Sequence, residues 1–182
     1  MRASLILEQA EISDVIIVRP IPQADHRGLF ARVFCQEAFA ASGIAFLPLQ
    51  MSVSFNDRAG TLRGLHWQDN PHAEAKLVRV TRGAVYDVAV DVRHGSPTFC
   101  RWFGLELSSE NRLSLYIPPG FAHGFLTLQE ATELTYSMDA PYKPTAARGA
   151  RFDDPAFNVK WPSEPLSVAQ RDLTWPAFPI RE

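Results

Sequence analysis

Leu62-Arg63-Gly64-Leu65-His66-Trp67-Gln68, followed by Lys76-Leu77-Val78, sets an arginine, a histidine and a lysine within fourteen residues. Imidazole titrates close to neutrality, so a neighbouring carboxylate can tune His66 as a general base. A lone histidine is most often structural. Arg63 and Lys76 beside it tip the balance toward chemistry on an anionic or enolising substrate. Strand periodicity puts Arg63, Leu65 and Trp67 on one side and Gly64, His66 and Gln68 on the other.

Further along, Pro118-Pro119-Gly120-Phe121-Ala122-His123 lodges a histidine at the start of a strand and fits the second half of the cupin pattern, Pro-x-Gly-x-x-His. The first half of a metal-binding cupin requires His-x-His followed by Glu. Position 68 is Gln, so the ligand count falls short of a catalytic metal site. Tyr136 lies in a strand and Tyr142 in the loop after it. A phenol can return a proton to a carbanion, although most buried tyrosines only pack. Asp25, Asp87, Asp91, Asp153, Asp154 and Asp172 form the carboxylate pool, and spacing alone does not decide Asp172. Arg148, Arg151 and Arg171 read as surface charges, whereas Arg27, in an Asp-x-Arg-Gly loop, reads as functional.

The elements that must position these groups are mostly strands. Strand patterns run over Val15 to Val18, Leu29 to Phe34, Met51 to Phe55, Lys76 to Thr81, Ala84 to Val92, Phe99 to Leu107, Ser114 to Ile117, Phe121 to Leu128 and Glu133 to Met138. Turn residues separate them. Gln36 to Ala41 reads as a short helix closed by Gly43, and Val168 to Asp172 as another. Many short strands at this spacing predict an all-β sandwich or barrel with short peripheral helices, not a βαβ fold.

The chain has 182 residues, 46% of them hydrophobic and 21% charged, and a net charge of −2. That describes one globular domain spanning 1–182, with a proline-rich tail over about 156–182 laid on the body. It excludes a broad basic field, so no nucleic acid or anionic membrane is expected as a partner. Cys35 and Cys100 form neither a disulfide framework nor a thiolate site. No apolar run reaches membrane-spanning length, which makes a cytoplasmic protein the expectation.

Taken in order, Asp25-His26-Arg27-Gly28-Leu29-Phe30, Leu62 to Gln68, Lys76-Leu77-Val78, Asp87 to Arg93, Ser96-Pro97-Thr98-Phe99, Ile117 to Phe125, Tyr136 and Tyr142-Lys143-Pro144 form a highly specific series. It resembles the dTDP-4-dehydrorhamnose 3,5-epimerases over about Val15 to Phe178. The resemblance implies a cupin-type jelly-roll homodimer that exchanges its N-terminal strand region, about residues 1–30. It implies an epimerase that works without metal or cofactor on a nucleotide-linked 4-keto-6-deoxyhexose. His66 would be the base, Asp172 its partner, Tyr136 the acid on the opposite face and Lys76 the enolate stabiliser. Arg27 and Arg63 would hold diphosphate or sugar oxygens, His123 the sugar or its surroundings, and Tyr142 the nucleotide end, with Phe30 a further substrate-binding residue. The family's Ser-x-x-[KR]-Asp is one residue longer here, Ser167-Val168-Ala169-Gln170-Arg171-Asp172.

Three departures fall in substrate-contacting stretches: Arg32 where the family carries Glu, Pro48 for Gln and Gln50 for Asn. Arginine only donates hydrogen bonds, so Arg32 suits a base with acceptors, such as cytosine, or a phosphate. The alternatives are an epimerase that inverts only C3 or only C5, including on a CDP-linked sugar, a non-catalytic sugar-nucleotide-binding cupin, and a metal-dependent cupin dioxygenase or isomerase.

Overall fold

The near-perfect alternation of Ala84 to Val92 becomes a strand buried on both faces. In the computed structural model, which describes residues 5–12 and 14–179, β8 (Ala84–Asp91) is buried at every position but Tyr86. Val85 and Ala89 turn into one apolar cluster, Val88 and Val90 into another. A strand between two apolar layers must be central, and the remaining elements supply the layers.

In chain order those elements are β1 (Leu5–Gln9), β2 (Ile16–Pro20), β3 (Gln23–Asp25), β4 (Gly28–Phe30), α1 (Gln36–Ala41), β5 (Gln50–Asn56), β6 (Thr61–Gln68), β7 (Lys76–Arg82), then β8. They continue with β9 (Trp102–Ser108), β10 (Ser114–Ile117), β11 (Phe121–Thr127), β12 (Thr132–Met138), β13 (Ala147–Gly149), β14 (Ser167–Val168) and α2 (Gln170–Leu173). One six-stranded sheet has the order β1-β2-β10-β7-β12-β5, and the facing sheet β13-β6-β11-β8-β9. Neighbours distant in sequence sit side by side in both, which is the crossing topology of a jelly roll. The all-β jelly-roll expectation holds. Among the described residues no helix is long and apolar enough to cross a membrane.

Between the sheets lie Val78, Val80, Leu115, Phe121, Phe125 and Leu134, each buried. Full burial of such a side chain stabilises the fold by about 1.5–3 kcal/mol. Outside the first sheet, α1 brings Phe39 against Phe34, Phe46 and Tyr116 at ring distances of 5.2 to 5.8 Å. The strand expected over Leu29 to Phe34 stops at Phe30 for this reason: Phe34 turns away from the β3–β4 hairpin into that cluster. Outside the second sheet, Phe157, Trp161 and Phe178 pack over β8 and Trp67. Met1–Ser4 and residues 180–182, which the exchanged-strand and tail expectations include, lie outside the described residues.

Asp91 closes the end of β8. Burial alone would raise its pKa; hydrogen bonds from Arg93, Ser96 and Thr98 overcome that and lower it to about 2. Its ordinary value is 3.8, so the contribution to stability is complete above that pH and is lost as pH falls through about 2. Asp91→Asn should therefore cost about 2 kcal/mol at neutral pH, a fall in Tm of about 4–8 °C. Thermal unfolding at pH 7 checks this, and an unchanged Tm would show that the network is dispensable.

Candidate active site

β6 carries an irregularity that its period-two sequence does not announce. Against β11, His66 pairs with His123 but Arg63 pairs with Phe125, so two residues of β6 oppose one of β11. The extra residue is a β-bulge, and it rotates Arg63 onto the same face as His66. The expected separation of Arg63 from His66 is thus corrected; Leu65 and Trp67 alone turn to the outer cluster. Gly64 makes the bulge possible. Its φ is +128°, and a Cβ there would stand 2.5 Å from the Gly124 Cα.

His66 Nε2 lies 2.7 Å from Asp172 Oδ1. Asp172 is brought 106 residues along the chain by β14, which runs parallel to the start of β6 and leads into α2. Its Oδ2 accepts the Gly64 N–H at 3.4 Å. A carboxylate only accepts, so Nε2 carries the proton and Nδ1 the lone pair. Burial lowers the His66 pKa and Asp172 opposes this, while Arg171 and Lys76 lower it further. The ring is accordingly neutral at pH 7 and able to take a proton.

Tyr136 comes from the other sheet, on β12, where its register partners are Val78 of β7 and Ser52 of β5. Burial, reinforced by Asp87, raises its pKa, with Ser54 and Arg63 acting in the other direction. Tyr136 thus stays protonated, on the sheet opposite the one that carries the neutral His66 ring. Lys76, at the start of β7, pairs with Met138 of β12, two residues from Tyr136 and on the same face.

These groups open into one cleft of about 400 Å³, lined by Gln50, Ser52, His66, Lys76, Tyr136 and Tyr142 among others. The Tyr142 N–H donates to Gln50 Oε1 at 3.0 Å. Arg63 Nε donates to Asn56 Oδ1 at 2.8 Å. His123 sits below, buried, with Nε2 2.9 Å from Asp87 Oδ2 and its ring edge-on to Tyr136 at 5.9 Å. Among the described residues no three His, Cys, Asp or Glu side chains converge as a ligand set.

Arg27, Phe30 and Arg32 are not brought to this cleft. Arg27 is paired with Asp25 on the exposed β3–β4 hairpin, its side chain 78% exposed, and Phe30 and Arg32 are exposed as well. Three other charged side chains do line the cleft: Glu74, Arg148 and Arg171. Arg148 and Arg171 are exposed, as expected of surface charges, and the part of the surface they occupy is the cleft wall. Arg171 was within reach of sequence reasoning as the neighbour of Asp172. Glu74 was too, two residues before Lys76 and so on its face of an extended segment. Arg148 carried no such signal.

A cleft that can take a proton from one side of a carbon and return one to the other belongs to an isomerase. In a jelly-roll wall, this is the arrangement of a cupin-type epimerase. The family model for dTDP-4-dehydrorhamnose 3,5-epimerase matches residues 9–179. A dTDP-4-dehydrorhamnose 3,5-epimerase of Sinorhizobium fredii is 42% identical over 175 residues, covering 96% of this chain and 90% of that protein. The crystal structure of the enzyme of that name from Elizabethkingia anophelis superposes with a TM-score of 0.92 at 35% identity, covering 97% of each chain. ChmJ, a 3'-monoepimerase from Streptomyces bikiniensis crystallised with dTDP-quinovose, gives 0.86 at 33% identity, covering 93% of this chain and 86% of that one. The chain belongs to the dTDP-4-dehydrorhamnose 3,5-epimerase family.

Proposed function

We propose that this protein epimerises C3 and C5 of a dTDP-linked 4-keto-6-deoxyhexose, as a dTDP-4-dehydrorhamnose 3,5-epimerase. The observation that carries the reading is His66 of one sheet, paired with Asp172 of α2, with Tyr136 on the sheet opposite. The C4 ketone acidifies the protons on C3 and C5. His66 Nδ1 takes one; the electron pair of that C–H bond moves into the enolate, whose oxygen Lys76 stabilises. Tyr136 then gives its phenolic proton to the carbon from the other face. Solvent returns a proton to Tyr136 and removes one from His66, and the cycle repeats at the second carbon.

Proton NMR in deuterated water, with a panel of nucleotide-linked 4-keto-6-deoxyhexoses, tests this. Deuterium is expected at both C3 and C5 of the dTDP-linked sugar. Because ChmJ is a 3'-monoepimerase, incorporation at C3 alone is the defined second outcome. Equal turnover of dTDP- and CDP-linked sugars would overturn base selection by Arg32. No exchange with any sugar would support the non-catalytic alternative.

The working unit in this reading is a cytoplasmic homodimer. Two features support the dimer. Met51, Val53 and Phe55 line the outer face of edge strand β5, at 74%, 63% and 47% exposed, with Leu47 and Leu49 beside them. The hairpin bearing Arg27 and Phe30 projects with all six strand residues exposed. A second copy covers the apolar stripe and receives the hairpin, so that Arg27 and Phe30 complete the partner's cleft. Light scattering should give twice the chain mass, and Val53→Asp should shift it to the monomer with loss of activity. A fully active monomer would overturn the exchange.

A further inference from the structure

Of the three charged side chains of the cleft to which the proton-transfer chemistry gives no part, Glu74 is the one in direct contact with Lys76. Glu74 Oε1 lies 2.7 Å from Lys76 Nζ, with the two side chains only 10% and 13% exposed. Glu74 Oε2 accepts from Gln68 Nε2. Gln68 is itself buried, at 3% exposed. Its Nε2 also faces the carbonyls of His72 at 3.0 Å and Pro141 at 3.3 Å, and its Oε1 accepts the Lys143 N–H at 2.6 Å. The chain of contacts thus runs from Lys76 through Glu74 and Gln68 to the loop that carries Tyr142.

A lysine ammonium is a point charge on a flexible four-carbon stem. Left alone in the cleft it would sample many positions, and the enolate oxygen would have to order it during the reaction. A carboxylate held from behind removes that freedom beforehand, which is where electrostatic catalysis gains most. It also cancels much of the lysine charge in the ground state, so the pair does little to bind an anionic diphosphate. We propose that Glu74 is a positioning residue: it fixes the Lys76 ammonium for the enolate, and Gln68 ties that pair to the Tyr142 loop. This rests on the epimerase reading above.

Glu74→Gln keeps the size of the side chain and an acceptor for Gln68 but removes the ion pair. With the dTDP-linked 4-keto sugar, kcat and deuterium exchange should fall between about 10- and 100-fold. KM should not rise, because the cleft gains an unpaired positive charge. Glu74→Asp, which keeps the carboxylate, should recover most of the loss. In a Lys76→Met background, Glu74→Gln should cause no further fall in kcat, since Glu74 acts through Lys76. A wild-type kcat in Glu74→Gln, the same proportional loss in both backgrounds, or a loss in Glu74→Asp as large as in Glu74→Gln would overturn the proposal. Wild-type enzyme that exchanges neither carbon would instead overturn the epimerase reading and leave the Glu74–Lys76 pair unassigned by it.

Discussion

His66→Ala is expected to lower deuterium exchange at C3 and C5 together, by on the order of 10²–10⁴-fold, while binding of dTDP stays largely intact. Both carbons flank the C4 ketone, and in the proposed reaction both give up their protons to one base; among the described residues His66, oriented by the buried Asp172, is the histidine that lines the cleft. Removing the ring removes the base without touching Arg63, Gln50 or Tyr142. The pH profile gives a second readout. Burial holds the His66 pKa below its ordinary value of 6.5, so the acid limb of kcat should lie below that value. The alkaline limb should lie above 10, because burial and Asp87 push the Tyr136 phenol upward. Retained exchange in His66→Ala would place the base elsewhere in the cleft.

Tyr136→Phe is expected to separate two events that are coupled in the wild type. The base side remains complete, so a proton is still removed and a deuteron still returned from the His66 face. Exchange therefore persists while inversion falls by about 100-fold or more. The ratio of exchange to inversion, read from one NMR time course, should rise sharply. The phenyl ring keeps the packing against His123 and Phe125, so a folding defect is not the expected cause. An unchanged product ratio and turnover would remove Tyr136 from the mechanism.

Much of this architecture is legible in the chain because strand periodicity is local. Alternation over Ala84 to Val92 and the turn residues around it locate β8 to within one residue, and α1 begins and ends where its pattern does. Short strands are harder: β1, β13 and β14 have two to five residues, too few for a period to stand out, and their existence depends on the strand beside them. Leu29 to Phe34 shows the opposite error. Its residues suit a strand, but burial of Phe34 beside Phe39 outweighs continued pairing.

The sequence by itself determined the chemistry available to this protein. Histidine, tyrosine, lysine and carboxylate stand in an order and spacing specific enough to define a family, on strands whose period is written in neighbouring residues. Only the tertiary structure decided which of them meet. His66 and Asp172 are 106 residues apart, and β14 beside β6 closes that distance. Arg63 shares a face with His66 because β11 forces a bulge at Gly64, a constraint that lies in the partner strand. Arg27 and Phe30, specific as their motif is, stay outside the cleft of their own chain. Side-chain chemistry belongs to single residues and can be read from them, whereas distance and direction depend on pairings between segments that no local pattern encodes.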